Sequence, residues 1–320
     1  MTEDGQYNPR WMPSQTVLAA GLSWFDLLFQ GRSNRIACAI VSGSAGTAIV
    51  DPGPTSCLDT LEASLARHGQ SLASVTHLLL THIHLDHAGA TGTILRRHPG
   101  IQVVVHERGA PHLVDPSKLL DSATRLYGSA MDRLWGEVAP VPEGNLVVCR
   151  GGETVAAGGR AWDVAYTPGH ASHHVCYFDR ASGVAFVGDT AGVCVDGGYV
   201  LPPTPPPDID VERWLESLQT IERWGASTLF LTHFGTVTSV PTHLQTLADN
   251  LQRAAALVRE SLALEGTDDE RRTRFEERMR AELRAHMSEE RTAAYESAAG
   301  FTMMWPGLAR YWRKKEAAAS

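Results

Sequence analysis

From residue 15 to about residue 106, short apolar runs alternate with turn signals along the chain. IACAIV (36–41) and TAIV (47–50) flank SGSAG and predict a hairpin, stopped by Asp51-Pro52-Gly53. Leu58, Leu61 and Leu65 recur at helical spacing within residues 56–69 and end on a glycine. HLLLT (77–81) predicts a buried strand running straight into HIHLDH. Residues 88–100 predict a short helix closed by Pro99-Gly100, and IQVVVH (101–106) predicts another strand. Residues 1–14 lack periodicity and are expected to form an irregular arm.

The pattern changes over residues 109–141. Asp115-Pro116 is a helix start, and Leu119, Leu120, Leu126, Met131, Leu134 and Trp135 supply an apolar face, so this stretch is expected to be a helical insertion over one end of a sheet. Strand-like runs then return: WDVAY (162–166), HVCYF (174–178), VAFVG (184–188) and TLFLT (228–232). The segment 198–207 is a stiff proline-rich loop. Asp210 caps a helix carrying Val211, Trp214, Leu215, Leu218 and Ile221 on one face. Two similar strand–helix halves suggest an αββα sandwich. Residues 241–320 are helical in pattern, with a Thr267/Glu270 capping box. An apolar cluster from Phe301 to Trp312 suits either folding back on its own domain or pairing of two chains. The expected division is a catalytic domain over 1–245 and a helical extension over 246–320.

Charge narrows the function classes. The chain has 320 residues and a net charge of -8. Residues 246–320 are balanced at 13 Lys+Arg and 13 Asp+Glu, so the excess lies in the first 245 residues, with 15 basic against 23 acidic. A nucleic-acid binder needs a basic face, so no nucleic-acid partner is expected. Lysine is confined to Lys118, Lys314 and Lys315, so an anionic substrate group must be held by arginine, backbone amides or a metal. The five cysteines, Cys38, Cys57, Cys149, Cys176 and Cys194, show no CxxC pairing and predict neither a disulfide framework nor a cysteine zinc site. The polar start and the lack of a long apolar run predict no signal peptide, no membrane partner and a cytoplasmic location.

The chemistry concentrates in His82-Ile83-His84-Leu85-Asp86-His87. Ligand-type side chains on a loop at a strand end can converge on a metal without burying polar atoms in the core, and imidazoles with a carboxylate suit zinc, iron or manganese. His170 in TPGH, Asp189 in VGDT and His233 in LTHFG each emerge where an apolar strand stops. Alone, a histidine after a strand is more often a surface group and an Asp after Gly a turn former. In this order, on neighbouring strands, all would meet at one edge of the sandwich. His173 and His174 are expected to start a strand, one of them facing solvent.

These motifs, THIHLDHAG (81–89), TPGH (167–170), GDT (188–190) and THFG (232–235), resemble those of the metallo-β-lactamase superfamily over residues 15–240. The resemblance implies an α/β fold, the αββα metallo-β-lactamase sandwich, here with a helical insertion and a helical C-terminal extension. It implies that His82, His84 and His170 hold one metal, that Asp86, His87 and His233 hold a second, and that Asp189 bridges them. Asp51 matches the aspartate that braces a ligand histidine. Two divalent ions, zinc foremost with iron or manganese as alternatives, would then activate a water against a small-molecule carbonyl substrate, with Asp86 as the catalytic residue that orients it and carries its proton.

Within the superfamily the motifs are similar to glyoxalase II and related thioesterases, and to acyl-homoserine lactonases. The lysine and tyrosine of the glutathione segment are absent, and the lactonase tyrosine is replaced by Gly192. Persulfide dioxygenases share the motifs but use one iron at two histidines and a carboxylate, which would be His84 or His82, His170 and Asp189. The ligand set fits a hydrolase and that oxygenase alike. A metal-binding module without catalysis is a third reading, against which the intact Asp86 speaks. The insertion and the proline-rich loop are the expected cleft walls, with Tyr127, Trp135 and Tyr199 as candidate substrate contacts.

Overall fold

The computed structural model describes residues 16–43, 45–195 and 197–319. The irregular arm expected over 1–14 lies outside the described residues.

The first sheet has the order β1 (Thr16–Ala19), β2 (Leu22–Asp26), β3 (Ala37–Gly43), β4 (Gly46–Val50), β5 (Val75–Leu79), β6 (Gln102–His106) and β7 (Leu146–Cys149). Its first four strands are antiparallel and the rest pair in parallel. The second sheet comprises β8 (Thr154–Ala157), β9 (Arg160–Tyr166), β10 (Val175–Asp179), β11 (Val184–Phe186), β12 (Thr228–Leu231) and β13 (Gly235–Val237). The helices are α1 (Leu58–Arg67), α2 (Leu85–Ala88), α3 (Thr91–Arg97), α4 (Ala110–Val114), α5 (Ser117–Tyr127), α6 (Met131–Trp135), α7 (Val211–Arg223), α8 (Val240–Leu262), α9 (Asp268–His286), α10 (Glu289–Ala299) and α11 (Phe301–Ala319).

Strand alternation sorts the side chains into layers. Ala37, Ala39 and Val41 of β3, with Tyr177, Phe186 and Phe230 from the other sheet, fill the space between the sheets. Cys38 and Ile40 of β3 face the opposite way, onto Leu58, Leu61 and Leu65 of α1. Leu229 and Leu231, flanking Phe230 on β12, pack on Trp214, Leu218 and Ile221 of α7. Where both faces of a sheet are covered, the strands read as continuous apolar runs. The layers are helix, sheet, sheet, helix.

The caps form as expected. Asp210 accepts from the Arg213 amide, and Thr267 and Glu270 close a reciprocal box. Residue 245 falls inside α8, and one core cluster runs from Cys176 of β10 through Leu244, Leu251 and Val258 of α8 to Met279, Met304, Trp305 and Leu308. The charge pattern shifts near residue 245, but the apolar face of α8 does not, so α9 to α11 complete the second helical layer. The 301–312 cluster is buried in its own chain. Gly307 lies so close beneath the proline-rich loop that a Cβ there would sit 2.0 Å from the Thr204 carbonyl oxygen. No described helix is long and apolar enough to cross a membrane.

Candidate metal centre

Strand ends of both sheets deliver polar residues to one edge. Asp51 follows β4, His82 to His87 follow β5 and enter α2, and His170 follows β9. Asp189 follows β11 and His233 follows β12. Gly169, at φ +133°, lets the chain turn against α7, where a Cβ would lie 2.4 Å from Trp214 Cα.

Two groups form. His82, His84, His170 and Asp189 bring their ligand atoms within 4.8 Å of one another, as do Asp86, His87 and His233. In the first, His84 Nδ1 lies 2.9 Å from His82 Nε2 and 3.1 Å from His170 Nε2. Asp189 spans both groups. Its Oδ2 is 3.3 Å from His170 Nε2, and its Oδ1 is 3.1 Å from His87 Nε2 and 3.5 Å from His233 Nε2. Asp86 Oδ2 lies 3.4 Å from His233 Nε2.

Hydrogen bonds behind the rings set their tautomers. His170 Nδ1 faces the Pro203 carbonyl at 2.9 Å, and His233 Nδ1 faces the Arg35 carbonyl. His87 Nδ1 faces Asp51 Oδ2 at 2.8 Å. Each of these nitrogens must donate. Thr81 Oγ1 donates to Asp51 at 2.8 Å and accepts from His82 Nδ1 at 3.2 Å. In their neutral form these four histidines therefore present Nε2 lone pairs to one another and to carboxylates. Acceptors face acceptors, and the Nε2 atoms of His87 and His233 and Oδ1 of Asp189 are buried without a hydrogen-bond partner. Divalent ions satisfy such a set, so the donors fit metal.

The protonation pattern agrees. Burial, then the neighbouring imidazoles, holds His82 far below the usual range and brings His84 to about 4. Burial also lowers His170, against the pull of Asp189. For His87 and His233 burial acts the same way, but the Asp189 and Asp86 carboxylates, with Asp51 at His87, outweigh it and raise both. Burial opposes ionisation of Asp86, yet His87 and His233 bring it down to about 2. Metal competes with protons for the Nε2 atoms of His87 and His233, which the neighbouring carboxylates make more basic. Metal uptake is therefore expected to release protons, and affinity to weaken as pH falls. Calorimetry in buffers of different ionisation enthalpy checks this, and uptake without proton release would contradict it.

Asp51 is fully buried and receives Thr81 N–H at 2.8 Å and Thr232 Oγ1 at 2.9 Å besides Thr81 Oγ1 and His87. It ties β4, the His82 loop and the end of β12 together. His173 and His174 differ from expectation, since both are buried. His174 Nε2 accepts from the Asp189 amide at 3.3 Å, while its Nδ1 lies 3.0 Å from the hydroxyls of Thr167 and Thr190. His173 lines the cavity over the centre. Strand alternation would place one of the pair outside, but here they precede β10 and sit beneath the His82 loop.

That cavity, about 730 Å³, opens onto His84, Asp86, Asp189 and His233. Tyr127, Leu126, Leu134 and Trp135 of the insertion form one wall, Pro203 and Pro205 to Pro207 of the proline-rich loop another, and Ser297 to Gly300 with Met303 a third. Tyr127 and Trp135 thus stand at the cavity. Tyr199 does not. Its hydroxyl donates to Glu282 and accepts from Arg253, both at 2.8 Å, and it packs against the α8–α9 face because Tyr295 holds its carbonyl.

The sequence pattern of the metallo-β-lactamase superfamily matches residues 34–233. The chain belongs to this superfamily. A metallo-β-lactamase family protein of Thermus thermophilus superposes with a TM-score of 0.71 at 21% identity, covering 94% of this chain and 96% of that one. A metallo-β-lactamase fold-containing protein of Sulfurisphaera tokodaii is 30% identical over 151 residues, which is 46% of this chain and 56% of that protein. A hydroxyacylglutathione hydrolase of Synechococcus is 31% identical over 153 residues, 47% of each chain. The chain thus spans about half the length of the curated relatives it matches. The superfamily segment ends at His233, so the whole of α8 to α11 lies beyond it.

Proposed function

We propose that this superfamily member is a metal-dependent hydrolase acting on a carbonyl substrate, a thioester, ester or lactone. The observation that carries the reading is the division of Asp189, one oxygen toward each histidine group, with the second group complete and its nitrogens otherwise unsatisfied. His82, His84 and His170 would hold one ion, Asp86, His87 and His233 the other, and Asp189 both. When bound, such a pair of ions supplies a water acidic enough to ionise near neutral pH and an electrophile for the carbonyl oxygen.

The chain's own residues do the rest. The Asp86 side chain is 24% exposed, toward the cavity, while that of His87 beside it is sealed. It can hold the attacking water by one carboxylate oxygen, take its proton and pass that proton to the leaving sulfur or oxygen. Asp51, Pro203 and Arg35 fix the orientation of His87, His170 and His233, so the site is preorganised. Tyr127, Leu134 and Trp135 exclude water from the cavity wall and give an apolar acyl group a surface.

A one-iron oxygenase would use His84 or His82, His170 and Asp189 and give the Asp86, His87 and His233 group no ligand role, so the complete second donor group favours the hydrolase. A module without catalysis leaves no role for a cavity leading to Asp86. Zinc-loaded protein is expected to hydrolyse at least one of a panel of short-chain thioesters, lactones and esters. A chelator is expected to abolish turnover and added zinc to restore it. Hydrolysis that ignores the chelator, or none across the panel, would contradict the proposal.

A further inference from the structure

The cavity wall is more basic than the chain as a whole. Arg32, Arg35, Arg108, Lys118 and Arg133 line it in a protein of net charge -8. Among the described residues the arginine and lysine ion pairs are made elsewhere, by Arg96, Arg97, Arg150, Arg160 and others.

Three of the five cations belong to, or are bonded to, the segment from Gln30 to Arg35. Arg32 and Arg35 leave the same segment after Phe29, close enough for the charge of Arg32, after burial, to depress Arg35. Arg133 is tied to that segment by a reciprocal pair of bonds. Gln30 Nε2 donates to the Arg133 carbonyl at 2.7 Å, and Arg133 Nη1 donates to Gln30 Oε1 at 2.6 Å. Arg35 is 7% exposed, and its Nε is buried with no partner. Its Nη1 reaches only the Ser33 and Asn34 carbonyls, at 3.4 and 3.3 Å. Asp26, the acid whose charge Arg35 senses, is committed elsewhere, since its oxygens accept from Leu28 N–H at 2.8 Å and Asn34 N–H at 2.7 Å. A buried guanidinium with no carboxylate in direct contact is costly. The fold keeps one at the cavity wall, on the residue whose carbonyl braces His233.

We propose that Arg35, Arg32 and Arg133 form an anion subsite, and that the substrate carries a carboxylate or phosphate group on the His233 side of the metal centre. Its apolar arm lies along Tyr127, Leu134 and Trp135. This rests on the hydrolase reading for the word substrate. Guanidinium forks suit either anion, because both present paired oxygens.

The test uses thioethers, which cannot be hydrolysed, so it does not depend on turnover. Three with the same hexyl chain are compared by calorimetry on zinc-loaded protein: S-hexyl-N-acetylcysteamine, which is neutral, S-hexylglutathione, which carries carboxylates, and S-hexyl-coenzyme A, which carries phosphates. At least one anionic compound is expected to bind about tenfold or more tightly than the neutral one, as charged hydrogen bonds allow, with the advantage shrinking at high salt. Arg32→Ala/Arg133→Ala, which alters two exposed side chains, is expected to remove most of that difference, and the preferred compound identifies the anion. Equal affinity for all three, or an anionic preference that the double variant leaves intact, overturns the subsite. Failure of the corresponding thioesters to turn over would instead sink the hydrolase reading alone.

Discussion

Asp189→Ala is expected to lower turnover on the order of 10³-fold or more and to leave the protein with less than its full metal complement. Among the described residues this carboxylate is the one group whose two oxygens reach both histidine clusters, at 3.1 Å from His87 Nε2 and 3.3 Å from His170 Nε2. Without it, the charges that raise His87 and His233 are reduced to Asp86 and Asp51, and nothing joins the groups. The backbone consequence is small, because the Asp189 amide donates to His174 whatever the side chain. The measurement is kcat with metal content on the same preparation. Full metal content with unchanged kcat would show that Asp189 does not join the two groups.

Asp51→Ala is expected to have the largest effect on stability. Removing its carboxylate leaves the Thr81 amide, two threonine hydroxyls and His87 Nδ1 without their acceptor in a fully buried place. Breaking a buried charged arrangement of this kind costs about 3–5 kcal/mol, a large share of ordinary domain stability. For a chain of this size Tm should fall by roughly 10 °C. Metal affinity should weaken by about 10–100-fold as His87 loses its orientation. Thermal unfolding and metal titration check the two effects separately. A Tm and an affinity both like those of the parent would mean that Asp51 does not brace the centre.

The sandwich was legible wherever a strand is covered on both faces. IACAIV, HLLLT and TLFLT are continuous apolar runs because alternate residues face the inter-sheet core and a helix layer. Of the strands not singled out, β7 and β8 are the less enclosed ones, whereas β2 is buried but carries Ser23 and Asp26 in its apolar run. In β7 Val148 is exposed, and β8 alternates exposed and covered residues, so neither carries a strong pattern. The metal-type residues stood out because each ends an apolar strand. Two cavity walls, the insertion with Tyr127 and Trp135 and the proline-rich loop, were also legible, whereas Arg35 and the third wall with Met303 come from distant segments that only the fold assembles. Tyr199 was misplaced for a related reason. Proximity to a cleft-lining proline loop says nothing of direction, and this tyrosine turns toward Glu282.

Metal content per chain, by elemental analysis of protein purified with neither added metal nor chelator, tests the central claim most directly. About two divalent ions per chain is the expected result, as the two donor groups and the shared Asp189 require. A single iron with no second metal would contradict the account and turn attention to oxygen consumption with persulfides.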